Sequence, residues 1–255
     1  VGAAITDKTK AIMPVSIYGQ CPDMDAINKI AKKYNLPVIE DAAQSFGAKS
    51  SNQMSCSIAD ISTTSFFPAK PLGCYGDGGA MFTNDDNLAE KMKMIANHGQ
   101  NKRYYHKVTG CNSRLDSIQA AILNVKLKYL DEYNSNREKM AKTYDIGFGD
   151  IEHLNIPYRS SNSTHVFHQY TLKTSPKYRD KLIKHLTEKE IPAMIYYPIP
   201  LYKQEAFSSY VPENYTIENI EKLCSSVFSL PIHSEKENSQ QDKVIDSVRS
   251  FFNSI

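Results

Sequence analysis

The amino-acid sequence predicts an α/β protein with a mostly parallel β-sheet. Residues 11–15 and 37–40 are short apolar segments, typical of buried strands, and each ends at turn-forming or acidic residues. The segment between them opens with Asp23, a good N-cap, and continues with apolar residues at helical spacing. A helix that joins two strands through tight turns is the building unit of parallel sheets.

Strands and helices continue to alternate along the chain, at lower density towards the C-terminus. Further strands are predicted at 58–67, 80–83, 167–173 and 191–197. Further helices are predicted after Asn84 or Asp85 and at 116–133, 178–190, 217–226 and 243–253. Segment 97–111 is predicted to be a long loop, 145–165 a linker, and the helix at 116–133 a bridge between two domains.

Composition excludes several classes of protein. A chain of 255 residues, 41% hydrophobic and 23% charged, can form the packed core of one or two domains. Its net charge of +2 is too balanced for nucleic acid to be the main partner. No apolar run approaches the roughly 18 residues of a membrane span, and residues 1–10 lack a signal-peptide pattern. Five cysteines without a Cys-x-x-Cys pair disfavour a disulfide framework or zinc site and fit a reducing cytoplasm.

Asp41 follows the second predicted strand, at the edge of the sheet where open α/β folds bind ligands. A lone Asp in this position is commonly a helix cap or a turn residue. It could also direct its carboxylate at a cationic ligand atom, and Gln44, three residues further on, could turn its amide into the same pocket.

Lys70 lies among aromatic residues and prolines, and no carboxylate follows it before Asp77. Most lysines are simply solvated, but an apolar setting lowers the pKa of a lysine, as a Schiff-base amine requires. Ser65 and the three hydroxyl residues before it, 62–64, could hold a phosphate.

Arg114 precedes a predicted helix, where its charge is unfavourable to the helix dipole, so it is a candidate for binding a carboxylate or phosphate. The alternative interpretation of this segment is that Ser113 or Asp116 simply caps the helix. His165 and His168 lie in a strand-like segment without a neighbouring Cys or Glu, which disfavours a metal site. Taken together, a carboxylate, a hydroxyl cluster and a lysine on adjacent strand ends suit a pyridoxal phosphate (PLP) site.

Five segments of the chain resemble the nucleotide-sugar aminotransferases of the DegT/DnrJ/EryC1/StrS family. They are 38–48 with Glu40-Asp41-Ala42-Ala43-Gln44, 65–79 with Ser65-Phe66-Phe67-Pro68-Ala69-Lys70 and Gly76-Asp77-Gly78-Gly79, 97–100, 110–121, and 197–201. The resemblance covers essentially the whole chain. It implies the aspartate-aminotransferase (type I) fold, with residues 1–125 in a large PLP-binding domain. Residues 126–255 would form the bridging helix and a small C-terminal α/β domain.

The same resemblance implies roles for individual residues. Lys70 would form the Schiff base with PLP, and Asp41 would pair with the pyridine nitrogen. The other implied roles are ring contact for Gln44, phosphate contact for Ser65, phosphate contact in the neighbouring subunit for Asn112, and sugar contact for Arg114, Tyr196 and Tyr197. Two composite sites per homodimer follow from the position of Asn112.

The implied reaction is transfer of an amino group, with glutamate as the expected donor, to a keto sugar linked to a nucleotide. Within the family the chain looks most like the enzymes that aminate a UDP-linked 3-keto-glucuronic acid derivative for O-antigen synthesis. Two alternatives stay open: an aminotransferase for a 3- or 4-keto-deoxysugar, and a non-catalytic regulatory or binding protein on this fold.

The chain departs from the family pattern in two places. Family members carry roughly a hundred residues before the position of Val1, so a chain without them is expected to have an unpaired sheet edge and an incomplete phosphate cup. The complete protein is expected to be active. Tyr196 also stands where related enzymes often place a His, which bears on the substrate more than on the reaction.

Overall fold

The structure is a computed structural model that describes residues 1–212, 214–235 and 238–255. The chain divides into two compact units. The first unit consists of Val1–Ser135 and Arg159–His168, and the second of Asn136–Tyr158 and Gln169–Ile255. The division at residue 125, taken from the sequence, stays a prediction.

The first unit combines short strands with three helices. Its strands are β1 (Ile39–Asp41), β2 (Lys49–Ser50), β3 (Gln53–Met54), β4 (Ile61–Ser65), β5 (Gly79–Phe82), β6 (Gln100–Lys102) and β7 (Tyr105–His106). Its helices are α1 (Met24–Lys33), α2 (Asp86–Ala96) and α3 (Ser117–Lys126), with 3₁₀ turns at Gly2–Ala4, Ile17–Gly19 and Leu127–Tyr129. A further helix, α4 (Leu130–Phe148), begins in this unit and continues into the second.

The sheet that carries the candidate site is β1-β4-β5. β1 and β4 are parallel, with Asp41 opposite Thr63, and β5 runs antiparallel to β4. The predicted strand at 11–15 pairs with this sheet only through parallel single-residue bridges, from Ile12 to Val38 and from Val15 to Asp41. This arrangement confirms the predicted α/β class.

Alternation along β4 separates the two faces of this sheet. Ser62 and Thr64 are buried, whereas Ile61, Thr63 and Ser65 are partly exposed. Successive side chains of a strand point to opposite faces, so one face packs on the core and the other is open to a ligand.

Carboxylates begin the helices of this unit, as the sequence predicts. Asp23 caps α1, Asp85 caps α2 and Asp116 caps α3, each accepting at least one backbone N–H of the first turn. Such caps satisfy N–H groups that have no partner within the helix.

The second unit contains an antiparallel sheet, β10-β9-β8, together with helices. Its strands are β8 (Leu154–Asn155), β9 (Tyr170–Thr174) and β10 (Val227–Leu230). Its helices are α5 (Pro176–Glu188), α6 (Glu218–Ser226) and α7 (Asn238–Phe252), with 3₁₀ turns at Leu201–Lys203 and Glu205–Tyr210. Its core includes the rings of Tyr144, Phe148 and Tyr170, the first and last of which lie 4.8 Å apart.

Several predicted elements need correction. The helix predicted at 116–133 is two helices, α3 and α4, joined by the turn Leu127–Tyr129. The predicted linker at 145–165 contains the end of α4 and β8, and the predicted loop at 97–111 contains the hairpin β6–β7. The strand predicted at 191–197 is reduced to one bridge, from Met194 to Ser229, and prolines, which lack an N–H, lie on both sides of it.

Within the described residues, no helix combines the length and the apolarity that crossing a bilayer requires.

The first unit is expected to lose stability in acid through His165. Burial and the charge of Arg159 lower the pKa of His165 to about 3, whereas the unfolded chain takes up this proton near pH 6.5. The unfolded chain therefore binds more protons between these values, so the contribution is complete above about pH 6.5 and is lost as pH falls towards 3. The loss is at most about 1.4 kcal/mol per pH unit.

Urea unfolding at about pH 7 and about pH 5 checks this prediction. His165→Gln should unfold with a weaker pH dependence than the wild type, and His233→Gln, at an exposed position, serves as the control. A variant that kept the full pH dependence would contradict the assignment to His165.

Candidate active site

Asp41 and Ser65 lie at the carboxyl ends of the parallel strands β1 and β4 and point to the same face of the sheet. Asp41 is opposite Thr63, and Thr63 and Ser65 share a face because they are two residues apart. The Oδ1 atom of Asp41 accepts the backbone N–H of Ala43 at 3.0 Å, and Ser65 Oγ accepts that of Phe67 at 3.2 Å. A carboxylate and a hydroxyl therefore stand on the open face of the sheet.

Lys70 lies in the loop between β4 and β5 and is half-buried. Burial lowers the pKa of its ammonium group, and the negative charge of Asp41 partly opposes this effect. The two side chains are therefore electrostatically coupled. A lysine whose pKa is lowered has a larger uncharged fraction at neutral pH, and the uncharged amine is the nucleophile and the base.

The loop that presents Lys70 is held by close backbone contacts. The Lys70 N–H donates to Phe67 O at 2.9 Å, and the Cys74 N–H donates to Phe66 O at 2.8 Å. The buried Cys74 thiol donates to Phe66 O at 3.0 Å and Gly76 O at 3.1 Å. A Cβ at position 73 would overlap the Pro68 carbonyl oxygen, so only glycine fits there. These contacts give an irregular segment a defined shape.

Arg114 and Asn112 lie together on an exposed segment before α3. Arg114 Nε donates to Asn112 Oδ1 at 3.0 Å. Arg114 also lines a cavity of about 490 Å³ together with Thr63, Asp77 and others. This cavity, which Thr64 also lines, places Arg114 beside the carboxyl-terminal half of β4.

The preceding segment is strongly basic. Residues 91–115 contain six Lys and Arg and no Asp or Glu, and the hairpin β6–β7 within it is almost entirely exposed. Gly99 anchors the hairpin: its φ is +72°, and a Cβ there would overlap the carbonyl oxygen of Val108. A bridge between Asn97 and Asn112 closes the loop that contains this hairpin.

The open face has a buried counterpart that sequence reasoning missed. Glu40, next to Asp41 on β1, is fully buried, and its carboxylate accepts four hydrogen bonds. The sequence carries only a weak signal for this cluster, namely a carboxylate next to Asp41 and several serines that are distant in sequence.

Three predicted site residues are not brought to Lys70 by these contacts. Gln44 Oε1 accepts the backbone N–H of Tyr18 at 2.6 Å. Tyr196 and Tyr197 belong to the second unit, where their ring centroids lie 5.6 Å apart. Their assigned roles stay predictions.

His165 contacts a residue close to it in the sequence. Its Nδ1 accepts the backbone N–H of Phe167, on whose ring it stacks at 3.8 Å. In the described part of the chain, no three His, Cys, Asp or Glu side chains are grouped as metal ligands would be.

The chain was compared with protein families and curated proteins. The model of the "DegT/DnrJ/EryC1/StrS aminotransferase family" matches residues 1–249. The UDP-2-acetamido-2-deoxy-3-oxo-D-glucuronate aminotransferase of Pseudomonas aeruginosa is 48% identical over 91% of this chain and 63% of its own length. A pleiotropic regulatory protein of Geobacillus stearothermophilus is 46% identical, over 99% of the chain and 68% of its own length. A dTDP-3-amino-3,4,6-trideoxy-alpha-D-glucose transaminase of Streptomyces venezuelae is 37% identical, over 98% and 66%.

Solved structures show the same fold. The crystal structure of S. venezuelae DesV in complex with a ketimine intermediate matches with a TM-score of 0.94 and 36% identity, over 98% of this chain and 67% of that one. NtdA from Bacillus subtilis, with bound cofactor PMP, matches with a TM-score of 0.91 and 31% identity, over 99% and 59%. The chain thus spans 63% to 68% of the length of the three curated relatives.

Proposed function

The chain belongs to the DegT/DnrJ/EryC1/StrS aminotransferase family, and we propose that the protein transfers an amino group to a keto sugar carried on a nucleotide, with PLP as cofactor. The observation that carries the proposal is the coupling of a half-buried Lys70, whose pKa burial lowers, to the carboxylate of Asp41. Of the roles that a lysine can have in such a site, covalent catalysis is the one that requires a partly uncharged amine.

The residues of the open face fit PLP. An amine, a carboxylate and a hydroxyl match the aldehyde, the ring nitrogen and the phosphate of this cofactor. When bound, PLP supplies an aldehyde that takes up amino groups and a ring that withdraws electrons from the reacting carbon. Lys70 would bond the aldehyde, Asp41 would keep the ring nitrogen protonated, Ser65 would bind the phosphate, and Gln44 would contact the ring.

Lys70 has a second task once the substrate amine has replaced it. Its uncharged Nζ would accept a proton from the reacting carbon of the substrate and would later donate that proton again, acting first as a base and then as an acid. General acid–base transfer of this kind typically accelerates a reaction by about 10²–10⁴-fold. Burial of Lys70 favours the uncharged form that this step requires. We take glutamate as the amino donor.

We propose a UDP-linked 3-keto-N-acetylglucosaminuronate as the acceptor, for surface polysaccharide synthesis. Three observations support this choice: the 48% identity to the P. aeruginosa enzyme named for that substrate, the position of Arg114 in a cavity that Thr63 also lines, and the basic segment 91–115. A guanidinium binds a carboxylate through paired hydrogen bonds, and the basic segment suits an anionic nucleotide. Tyr196 and Tyr197 are proposed as further sugar contacts.

We also propose a homodimer in which Asn112 reaches the cofactor phosphate of the partner subunit. Helix α3, which follows Asn112, supports this: Ile118 is 72% and Val125 59% exposed. These residues lie two helical turns apart, so they form an apolar stripe that a second copy of the chain would bury.

Two other functions have support in the relatives. The S. venezuelae transaminase, at 37% identity, favours a deoxysugar acceptor, and the regulatory protein, at 46%, favours a non-catalytic role. A non-catalytic role gives no reason for a half-buried lysine whose pKa is lowered.

Absorbance spectra of the full-length protein with PLP test the reaction. We expect the wild type to show a visible band that glutamate abolishes, since the amino group then passes to the cofactor. Lys70→Ala should lack this band because the bond to the aldehyde is lost, whereas Lys91→Ala, at an exposed position on α2, should keep it. A band that glutamate leaves unchanged would favour a regulatory role or another donor.

Arg114→Ala is expected to discriminate between acceptors. Losing a charge-assisted pair costs about 1.5–3 kcal/mol, so kcat/KM for the uronate should fall by about 10- to 150-fold. The fall for a neutral 3-keto-deoxysugar should be much smaller. Steady-state kinetics with both sugars, and with Lys29→Ala at an exposed position on α1 as the control, measure the difference; equal losses on both would contradict a uronate substrate.

Mixing two inactive variants tests the composite site. Lys70→Ala and Asn112→Ala should each be impaired as homodimers. In a mixed dimer, one site combines an intact Lys70 with an intact Asn112 from the other subunit. After unfolding and refolding of an equimolar mixture, about a quarter of the wild-type activity should return. No recovery, with mixed dimers present by mass spectrometry, would contradict a shared site.

A further inference from the structure

Two adjacent carboxylates, Glu40 and Asp41, end strand β1, and the strand sends them to opposite faces of the sheet. Asp41 is partly exposed on the open face, and Glu40 is fully buried on the other. Either side chain has the chemistry to pair with a protonated ring nitrogen. Some feature of the buried side must therefore decide which one faces the ligand.

The buried side is built to receive a carboxylate. Glu40 Oε1 accepts from Ser16 Oγ at 3.2 Å and Ser55 Oγ at 2.8 Å. Its Oε2 accepts from the Cys56 N–H at 2.9 Å and Ser62 Oγ at 3.0 Å. Each oxygen thus has two donors, which replace the water that a buried carboxylate loses.

Two of these donors also flank Asp41. Ser16 N–H donates to the Asp41 carbonyl oxygen at 2.9 Å, while the Ser16 hydroxyl holds Glu40. On the other side, Ser62 adjoins Thr63, whose carbonyl oxygen accepts the N–H of Ala42 at 2.8 Å. The Glu40 carboxylate therefore links the two segments that flank β1 on either side of Asp41.

The charge of Glu40 acts on groups at both faces of the sheet. Within the described ranges it forms no ion pair, and the titratable side chains on its face are the thiols of Cys21 and Cys56, the pKa of each being raised by burial and by the Glu40 charge. Asp41 and Lys70 are charged groups of the opposite face, and Asp77 and Arg114 line a cavity together with Thr63 of that face. The negative charge of Glu40 thus adds to that of Asp41 wherever a cation binds the open face.

From this arrangement we propose that Glu40 is a positioning residue, which locks the register of β1 so that Asp41 faces the cofactor and which adds negative potential behind the ring nitrogen. The inference rests on the proposed PLP site. A slip of β1 by one residue would bury Asp41 and expose Glu40, and a shorter carboxylate would not span the same four donors.

The test uses the full-length protein loaded with PLP. Glu40→Gln keeps the side-chain shape and one acceptor oxygen but removes the charge. We expect the Kd for PLP to rise about tenfold and the apparent pKa of the visible band to fall by about one unit, because a nearby cation loses a favourable charge. Ser62→Ala removes one of the four donors, so it should raise the Kd for PLP by less than Glu40→Gln does. In the double variant it should raise the Kd little beyond the effect of Glu40→Gln alone, because both changes act on the same carboxylate.

Asp23→Ala is the matched control, since it removes the cap of α1 in the same unit and should lower Tm without changing either optical quantity. If Glu40→Gln lowers Tm but leaves Kd and band pKa at wild-type values, Glu40 is only structural and the inference is wrong. If Glu40→Gln does not fold, an unchanged Kd in Ser62→Ala overturns it. A wild type without a PLP band would overturn the proposed function itself.

Discussion

The site depends first on the parallel register of β1 against β4. That register places Asp41 opposite Thr63, and the alternation of strand side chains then distributes every neighbouring group between the two faces. The hydroxyl of Ser65 and the carboxylate of Asp41 share the open face, and Ser62 shares the buried face with Glu40. A shift of one residue would exchange all of these groups at once, so the chemistry of the open face and the polar cluster beneath it are specified by one pairing.

Lys70 joins the groups of the open face from a loop and not from a strand. It follows β4 in a loop whose shape depends on two residues. A Cβ at Gly73 would overlap the carbonyl oxygen of Pro68, and the buried Cys74 thiol donates to the carbonyl oxygen of Phe66. Two opposing effects act on its amine: burial lowers the pKa, and the charge of Asp41 raises it. A lysine buried here without Asp41 would have no carboxylate to oppose the effect of burial on its pKa, and one beside Asp41 without burial would stay charged. The balance is what suits both covalent bonding and proton transfer.

Local signals in the sequence predict most of the helices and the strands of the first sheet, because caps and short-range periodicity act within a few residues. Asp23, Asp85 and Asp116 are examples. Features that depend on distant partners were missed. Glu40 is bonded to serines up to 24 residues away, and β10 is a continuous buried strand that only its pairing with β9 explains. Proline spacing likewise reduced the predicted strand at 191–197 to a single bridge.

Helix α3 shows what periodicity can and cannot establish. The apolar spacing of Ile118, Ala121, Ile122 and Val125 correctly predicts a helix, but much of that face is exposed in a single chain. Apolar residues at helical spacing indicate a face that is suited to burial, but they do not identify the molecule that covers it. The segment that ends at the cap Asp116 also carries Asn112 and Arg114. In the proposed homodimer, a second copy that covers this surface would hold these two side chains in place through the same helix, and assembly would then be tied to completion of the site.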